Sequence, residues 1–394
     1  MEHDNSLGGA FNKETGKLNT DKLLKHFKNL KDIKESKMNV LLMGGTGVGK
    51  SSLINALFGK EIAKAGVGKP ITQHLEKFID EKKGLILWDT KGIEDKDYHD
   101  TTQSIKKEME DSFKTLNEKE AIDVVYLCVK ETSSRIQERE LLSFAKDWNI
   151  PTIVIFTNTQ EKAGDAFVQK SKEIIGEEWG FGGFVRAYVR VNSVAFSFRG
   201  IEVPIEGLKE LVDETEKCLL DAKENKKKHF LSIQKANIQK RKQAMIEKCK
   251  TIIHVASGLA GTVEASPIPF SDMPLIIGVQ KRMIDEMNDA FEVSLGKSAT
   301  PTFITEISSV IALVHVERTL VNGFLKFIPV VGSVAGVSTA AVITEGIGFA
   351  YLKVLEKCFN DETGEVNLPD EVGMITSLFR ENYLNLGTIK KLIQ

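Results

Sequence analysis

The run Gly44-Gly45-Thr46-Gly47-Val48-Gly49-Lys50-Ser51-Ser52 sets the chemistry this chain can perform. It fits Gly-x-x-x-x-Gly-Lys-Ser/Thr, with apolar Val40, Leu41, Leu42 and Met43 before it and a helical pattern through Leu53, Ile54 and Asn55 after it. A glycine-rich turn can bare successive backbone N–H groups, and the helix that follows adds its positive end. Such a turn grips a polyphosphate. Lys50 would reach the terminal phosphates, and the Ser51 hydroxyl would ligate Mg²⁺. Further on, Leu85-Ile86-Leu87-Trp88 runs into Asp89-Thr90-Lys91-Gly92, which matches Asp-x-x-Gly. A carboxylate there can hold the metal through a water, while the Gly92 N–H can meet a γ-phosphate. Between the two motifs, Gly66-Val67-Gly68-Lys69-Pro70-Ile71-Thr72 offers Thr72 to complete the metal shell in the triphosphate state and let go after hydrolysis.

These motifs need a frame that brings them to one edge. Residues 38–222 alternate short apolar runs with polar-faced helical patterns, the mark of an open α/β sheet covered on both faces. Strands are expected near 38–43, 74–79, 84–89, 123–129, 152–157 and 185–192, and helices near 50–59, 100–117, 134–147, 160–176 and 205–222. In such a sheet the ligand sits beyond the carboxyl ends of the strands, which is where the motifs fall.

The phosphate loop, the threonine loop and Asp89-Thr90-Lys91-Gly92 together resemble the first three motifs of a translation-factor-class small GTPase domain. The stretch from Gly45 to Asn55 is especially similar to the Era, septin and immunity-associated branches. The resemblance spans roughly 38–222 and implies a mostly parallel six-stranded sheet with helices on both faces, GTP or GDP as ligand, and Mg²⁺ held by Ser51, Thr72 and Asp89. It implies phosphate contacts from Gly44 through Ser52 and catalytic parts for Lys50, Thr72 and Gly92. A base reader is implied at Thr157, Asn158 and Gln160, and Val191-Asn192-Ser193-Val194-Ala195 resembles the last family motif, which places Asn192 and Ser193 at the guanine.

Two departures stand out. The family reads guanine with Asn/Thr-Lys-x-Asp, whose carboxylate accepts from guanine N1 and N2. Here Ile153-Val154-Ile155-Phe156 leads into Thr157-Asn158-Thr159-Gln160-Glu161. Strand length favours Thr157 first, which leaves the neutral Gln160 in the aspartate's place; a register one residue on restores a carboxylate at Glu161 but has no lysine. Guanine selectivity is then weakened, and an ATP- or mixed-nucleotide hydrolase becomes the alternative. The second departure is Ile93, where Ras-like enzymes carry a water-orienting glutamine. Slow hydrolysis is expected, with help from another group or subunit; a non-hydrolysing nucleotide-binding scaffold is the other alternative. Arg135 is read as a solvated helix-start residue rather than an arginine acting in trans.

Residues 223–394 read as an all-α domain. From 205 to 256 helix formers run on without proline or glycine after Gly207, so one or two long helices are expected. Between Lys223 and Lys250 stand ten Lys/Arg against Glu224 and Glu247. They form either a solvated face or a surface for anionic lipid or an acidic partner, so 223–352 is the expected site for a membrane surface or protein partner. The apolar stretch 251–352 includes Phe327 to Thr344 without a charge, and Gly332, Gly336 and Ala340 stand four apart as in close helix pairs. Its prolines, glycines and hydroxyls favour a buried helical hairpin over a membrane span. His254 and His315 are expected in the core. Pro267-Ile268-Pro269-Phe270-Ser271-Asp272-Met273-Pro274-Leu275, with Gln280 and Met283, and Leu325 to Ser333 are similar to a helical domain of unknown function fused to Era-like GTPase domains in microbes.

Composition sets outer limits. A 394-residue chain with 27% charged and 42% hydrophobic residues has room for two domains. A net charge of −2 argues against a dedicated nucleic-acid binder. Cys128, Cys218, Cys249 and Cys358 lie far apart, as reduced thiols in a cytoplasmic protein would, with peripheral membrane attachment and self-association left open. Residues 1–17 are expected to be disordered and to lack a secretory signal, and Leu18 to Lys37 to form an amphipathic helix through Leu23, Leu24, Phe27, Leu30 and Ile33.

Overall fold

The computed structural model describes residues 11–12, 17–18, 37–59, 69–70, 75–90, 98–114, 116, 121–133, 136–159, 162–198, 201–219, 224–263, 273–293, 339–369 and 372–383. The chain divides into two compact units, Ile33–Arg241 and Met1–Asp32 with Lys242–Gln394.

In the first unit the apolar runs become strands. They are β3 (Met38–Met43), β5 (Leu75–Asp80), β6 (Leu85–Thr90), β7 (Val124–Lys130), β8 (Thr152–Thr157) and β9 (Val185–Val191), with the two-residue β4 (Lys69–Pro70) at an edge. The order is β4-β5-β6-β3-β7-β8-β9, so β4 adds a seventh strand to the six expected. From β6 through β9 all pairings are parallel, and β5 runs antiparallel to β6. Parallel strands buried on both faces read as continuous apolar runs, which is how Val40 to Met43 and Ile153 to Phe156 look. One face buries Val40, Leu42 and Ile155 under α1 (Lys50–Phe58) and α5 (Leu208–Cys218). The other buries Leu41, Trp88, Val154 and Phe156 under α2 (Tyr98–Phe113), α3 (Arg139–Asp147) and α4 (Lys162–Glu173).

Several sequence expectations shift. A hairpin of β10 (Phe196–Phe198) and β11 (Ile201–Val203) precedes α5, which therefore starts at Leu208 rather than 205. The one or two long helices expected over 205–256 are three, α5, α6 (Glu224–Ile233) and α7 (Ile238–Val263). The second break is made by polar side chains: Gln234 Oε1 accepts from the Asn237 N–H at 2.8 Å, and Asn237 Oδ1 from the Lys240 N–H at 3.2 Å. Residues from Glu224 to Arg241, assigned on sequence to the helical domain, fall in the α/β unit, because Phe230 and Ile233 of α6 complete its core.

The basic run is also more engaged than its sequence suggests. Lys226 meets Asp123 at 2.6 Å, Lys227 meets Glu216 at 3.0 Å, and Lys240 meets Asp213 at 2.7 Å and Glu216 at 2.5 Å. Lys228, Lys242 and Lys250 also pair with carboxylates, and Arg241 is buried.

The second unit packs α7, α8 (Met273–Ala290), α9 (Thr339–Cys358) and α10 (Val372–Tyr383). Its close helix approach is at Gly348, where a Cβ would lie 2.6 Å from Ile253 Cγ1 and 3.1 Å from Met283 Sδ. Of the small residues expected to do this, Ala340 is buried in α9, and Gly332 and Gly336 lie outside the described residues. His254 is mostly buried and stands 3.1 Å from Glu345, while His315 lies outside the described residues. No helix among the described residues is long and apolar enough to cross a membrane. Near the N-terminus, expected to be disordered, β1 (Phe11–Asn12) pairs antiparallel with β2 (Lys17–Leu18). Leu18 is therefore in a strand rather than a helix, and residues 19–36 lie outside the described residues.

Candidate functional site

Three strand ends and one loop build the site. β3 delivers Gly44 to Gly49, and α1 begins at Lys50. The first glycine is dictated by a close approach. Gly44 has φ +134°, and a Cβ there would stand 2.3 Å from the Cys128 carbonyl oxygen on β7. Gly49 has φ +97°, again a backbone that disfavours a side chain. Among the described residues no amide from Thr46 to Ser52 donates to a backbone carbonyl; the first helical bond is Leu53 N–H to Gly49 at 2.9 Å. These are the orphan donors of a helix start, and they fit an anionic ligand.

Lys50 is almost wholly buried, and its ammonium donates to the Gly44 and Gly45 carbonyls at 2.8 and 3.0 Å. It lies 3.7 Å from Asp89 Oδ1 on neighbouring β6. Ser51 and Ser52 are exposed on the first turn of α1. Serine hydroxyl and aspartate carboxylate are hard oxygen donors, a set that suits Mg²⁺. Burial pushes the Cys128 thiol up to about 12, despite the nearby Lys50 ammonium, so it stays protonated and unreactive.

Of the residues expected at the base, Thr157, Asn158, Asn192 and Ser193 line a cleft of about 290 Å³ together with Gly49, Ser52 and Val194. Their side chains divide into two sorts. Thr157 is buried and donates to the Val48 carbonyl at 2.6 Å, tying β8 to the phosphate loop. Asn192 is buried too, and its amide donates to the Pro204 carbonyl at 2.6 Å. Both brace the walls. Asn158, at φ +53°, is exposed, and Ser193 is partly exposed. Thr72, Gly92, Ile93, Arg135 and Gln160 lie outside the described residues.

Two groups escaped the sequence reading. Glu131, fully buried after β7, takes Arg190 Nε at 2.5 Å and Nη2 at 2.9 Å, while Arg190 Nη1 reaches Asp165 on α4. A Cβ at Gly164 would lie 2.0 Å from Glu131 Oε2 and would push the ion pair aside, so the absence of a side chain there makes room for it. This cluster ties the first turn of α4 to β9 and to the end of β7. The other is Thr159, whose hydroxyl donates to Glu206 Oε1 at 2.7 Å. Only Arg190, one of two arginines in β9, hinted at the first; nothing local marked the second.

Residues 39–158 match a family described as 50S ribosome-binding GTPase. This part of the chain is a P-loop GTPase domain. GTP binding and a nucleotide-dependent switch come with that family. No curated protein matches the chain. Among solved structures, the GTPase domain is similar to a dimerisation-deficient Toc33 from Arabidopsis thaliana, with 19% identity over 52% of this chain and 93% of that one at a TM-score of 0.33. A structure of Toc33 from the same plant with Mg²⁺ and GMPPNP gives 20% identity over the same shares and the same TM-score of 0.33.

Proposed function

We propose that the chain is a GTP-binding protein with slow GTP hydrolysis, whose nucleotide state is passed to the helical unit and from there to a partner, a second copy or a membrane surface. The observation that carries the reading is the phosphate loop. A buried ammonium stands between loop carbonyls and Asp89, beside a row of amides for which no backbone carbonyl among the described residues is a hydrogen-bond partner of normal geometry. Gly44 to Ser52 would cradle the phosphates, and Lys50 would swing from its carbonyls to the β- and γ-phosphate oxygens. Ser51, Thr72 and Asp89 would hold Mg²⁺, which supplies charge neutralisation at the phosphates. Thr72 and Gly92 would sense the γ-phosphate. Asn158, Ser193 and the braced Thr157 and Asn192 would enclose the base.

Ile93 supports the slow rate, since an aliphatic side chain orients no water. The paired lysines of the 223–250 run turn the membrane part of the reading away from a broad basic face, because most of those charges already meet a carboxylate. Gln160 keeps a mixed-nucleotide hydrolase as the second reading. Titrating fluorescent GTP and ATP against the full chain and Lys50→Ala decides. The proposal expects GTP to bind and the variant to lose about two orders of magnitude, roughly 3 kcal/mol for a charge-assisted phosphate contact. Normal binding by Lys50→Ala overturns it, and equal GTP and ATP affinity selects the second reading.

A further inference from the structure

A carboxylate is what guanine asks for, with two acceptors facing the N1 and N2 donors, and position 160 offers a neutral amide. We propose that Glu206 supplies it: its side chain, on a backbone paired with the cleft residue Asn192, determines guanine selectivity in place of the aspartate that position 160 lacks. The inference rests on the nucleotide reading above.

Glu206 is tied to both walls of the cleft. Its backbone N–H and carbonyl pair with Asn192, both at 3.1 Å, and its Oε1 accepts from Thr159 at 2.7 Å. Asn192 lines one wall, and Thr159 follows Asn158 on the other. The residue's place is fixed from behind as well. Gly207, next in the chain, has φ +76°, and a Cβ there would lie 1.8 Å from the Arg190 carbonyl oxygen. The backbone at Glu206 is thus pinned against the end of β9.

Three other carboxylates among the described residues near this edge are engaged by cations. Asp89 stands by Lys50, and Glu131 and Asp165 are both taken by Arg190. Glu206 is exposed, and among the described residues its carboxylate receives one neutral hydroxyl. Oε2 therefore remains for a ligand, and the Thr159 hydroxyl sets the plane in which it is offered. A clasp that served only to close the β10–β11 hairpin would need no charge, since a glutamine oxygen accepts from threonine equally well.

That difference supplies the test. Xanthine carries a carbonyl at C2 where guanine carries an amino group, and hypoxanthine carries neither. The 394-residue protein and its Glu206→Gln variant are titrated with GDP, XDP and IDP. The wild type should favour GDP over both. Glu206→Gln should weaken GDP roughly tenfold or more and tighten XDP, because its amide accepts from N1 and donates to the C2 carbonyl. Glu206→Asp, which keeps the charge one methylene shorter, should bind GDP more weakly yet still prefer it to XDP, and it serves if the glutamine variant does not fold. An unchanged GDP-to-XDP ratio in Glu206→Gln, or a reversed one in Glu206→Asp, overturns the assignment. A wild type that binds GDP without preference overturns it and leaves nucleotide binding standing, whereas a wild type that binds none of the three overturns both.

Discussion

At the scale of single residues, the phosphate loop separates two demands on glycine that sequence alone merges. Gly44 and Gly47 both have positive φ, at +134° and +75°, yet a Cβ at Gly44 meets the Cys128 carbonyl at 2.3 Å and one at Gly47 meets nothing within 4 Å. Gly47→Ala should therefore cost only backbone strain, about 1 kcal/mol, and leave a folded protein. Gly44→Ala adds a collision with backbone that has no rotamer to yield, so it should lower the melting temperature by several degrees and abolish nucleotide binding. Thermal melts with and without GDP compare the two, and equal losses would contradict the geometry. The Thr157 hydroxyl makes a third local demand. Thr157→Val keeps the shape and removes the 2.6 Å bond to Val48, and the half-buried carbonyl left behind should cost about 1 kcal/mol in urea unfolding.

Elements are held in register by pairs that lie far apart in the chain. Arg190→Ala takes from Glu131, fully buried at the junction of β7, β9 and α4, the guanidinium that meets both its oxygens. Breaking a buried ion pair by removing one partner costs about 3–5 kcal/mol, so the urea midpoint should fall, and adding Glu131→Gln should recover part of the loss. On the opposite face, Glu216 of α5 is raised by burial, but hydrogen bonds from Lys240 and Lys227 outweigh this and leave it below the ordinary carboxylate range. A carboxyl depressed in the folded state stabilises fully above its unfolded value, and that contribution is lost as pH falls through the lower folded value. Glu216→Gln should therefore flatten the acid limb of stability against pH, measured by chemical unfolding at a series of acidic pH values. Such couplings explain what was legible in the sequence. Gly44 to Ser51 and Asp89 could be read because each motif is contiguous and sits at the end of an apolar run. Glu131 with Arg190 and Thr159 with Glu206 could not, since their partners lie 59 and 47 residues away and meet only through strand register. The break between α6 and α7 was hidden for a different reason: no proline or glycine marks it, and Gln234 and Asn237 turn the chain with their side chains.

For the whole molecule the open matter is whether nucleotide chemistry in Ile33–Arg241 is felt in the unit that contains Lys242–Gln394. Binding of any nucleotide stabilises the unit that carries the site, by about 2.7 kcal/mol at a ligand concentration one hundred times Kd. Amides of that unit that exchange through its unfolding should slow about a hundredfold with GDP and with a non-hydrolysable GTP analogue alike. A switch demands more, because a ligand moves an equilibrium only by its differential affinity for the two states. Hydrogen exchange should therefore show α7 beyond Lys242, α8 and α9 responding differently to the two nucleotides. The amides to watch lie around Gly348, where Ile253 and Met283 close on α9 and any change in helix spacing must register. Identical protection there with GDP and with the analogue would mean that the γ-phosphate is sensed within the GTPase domain and goes no further, and the helical unit would need a function of its own. A difference confined to the analogue-bound protein would make the close packing at Gly348 the place where the nucleotide state is read.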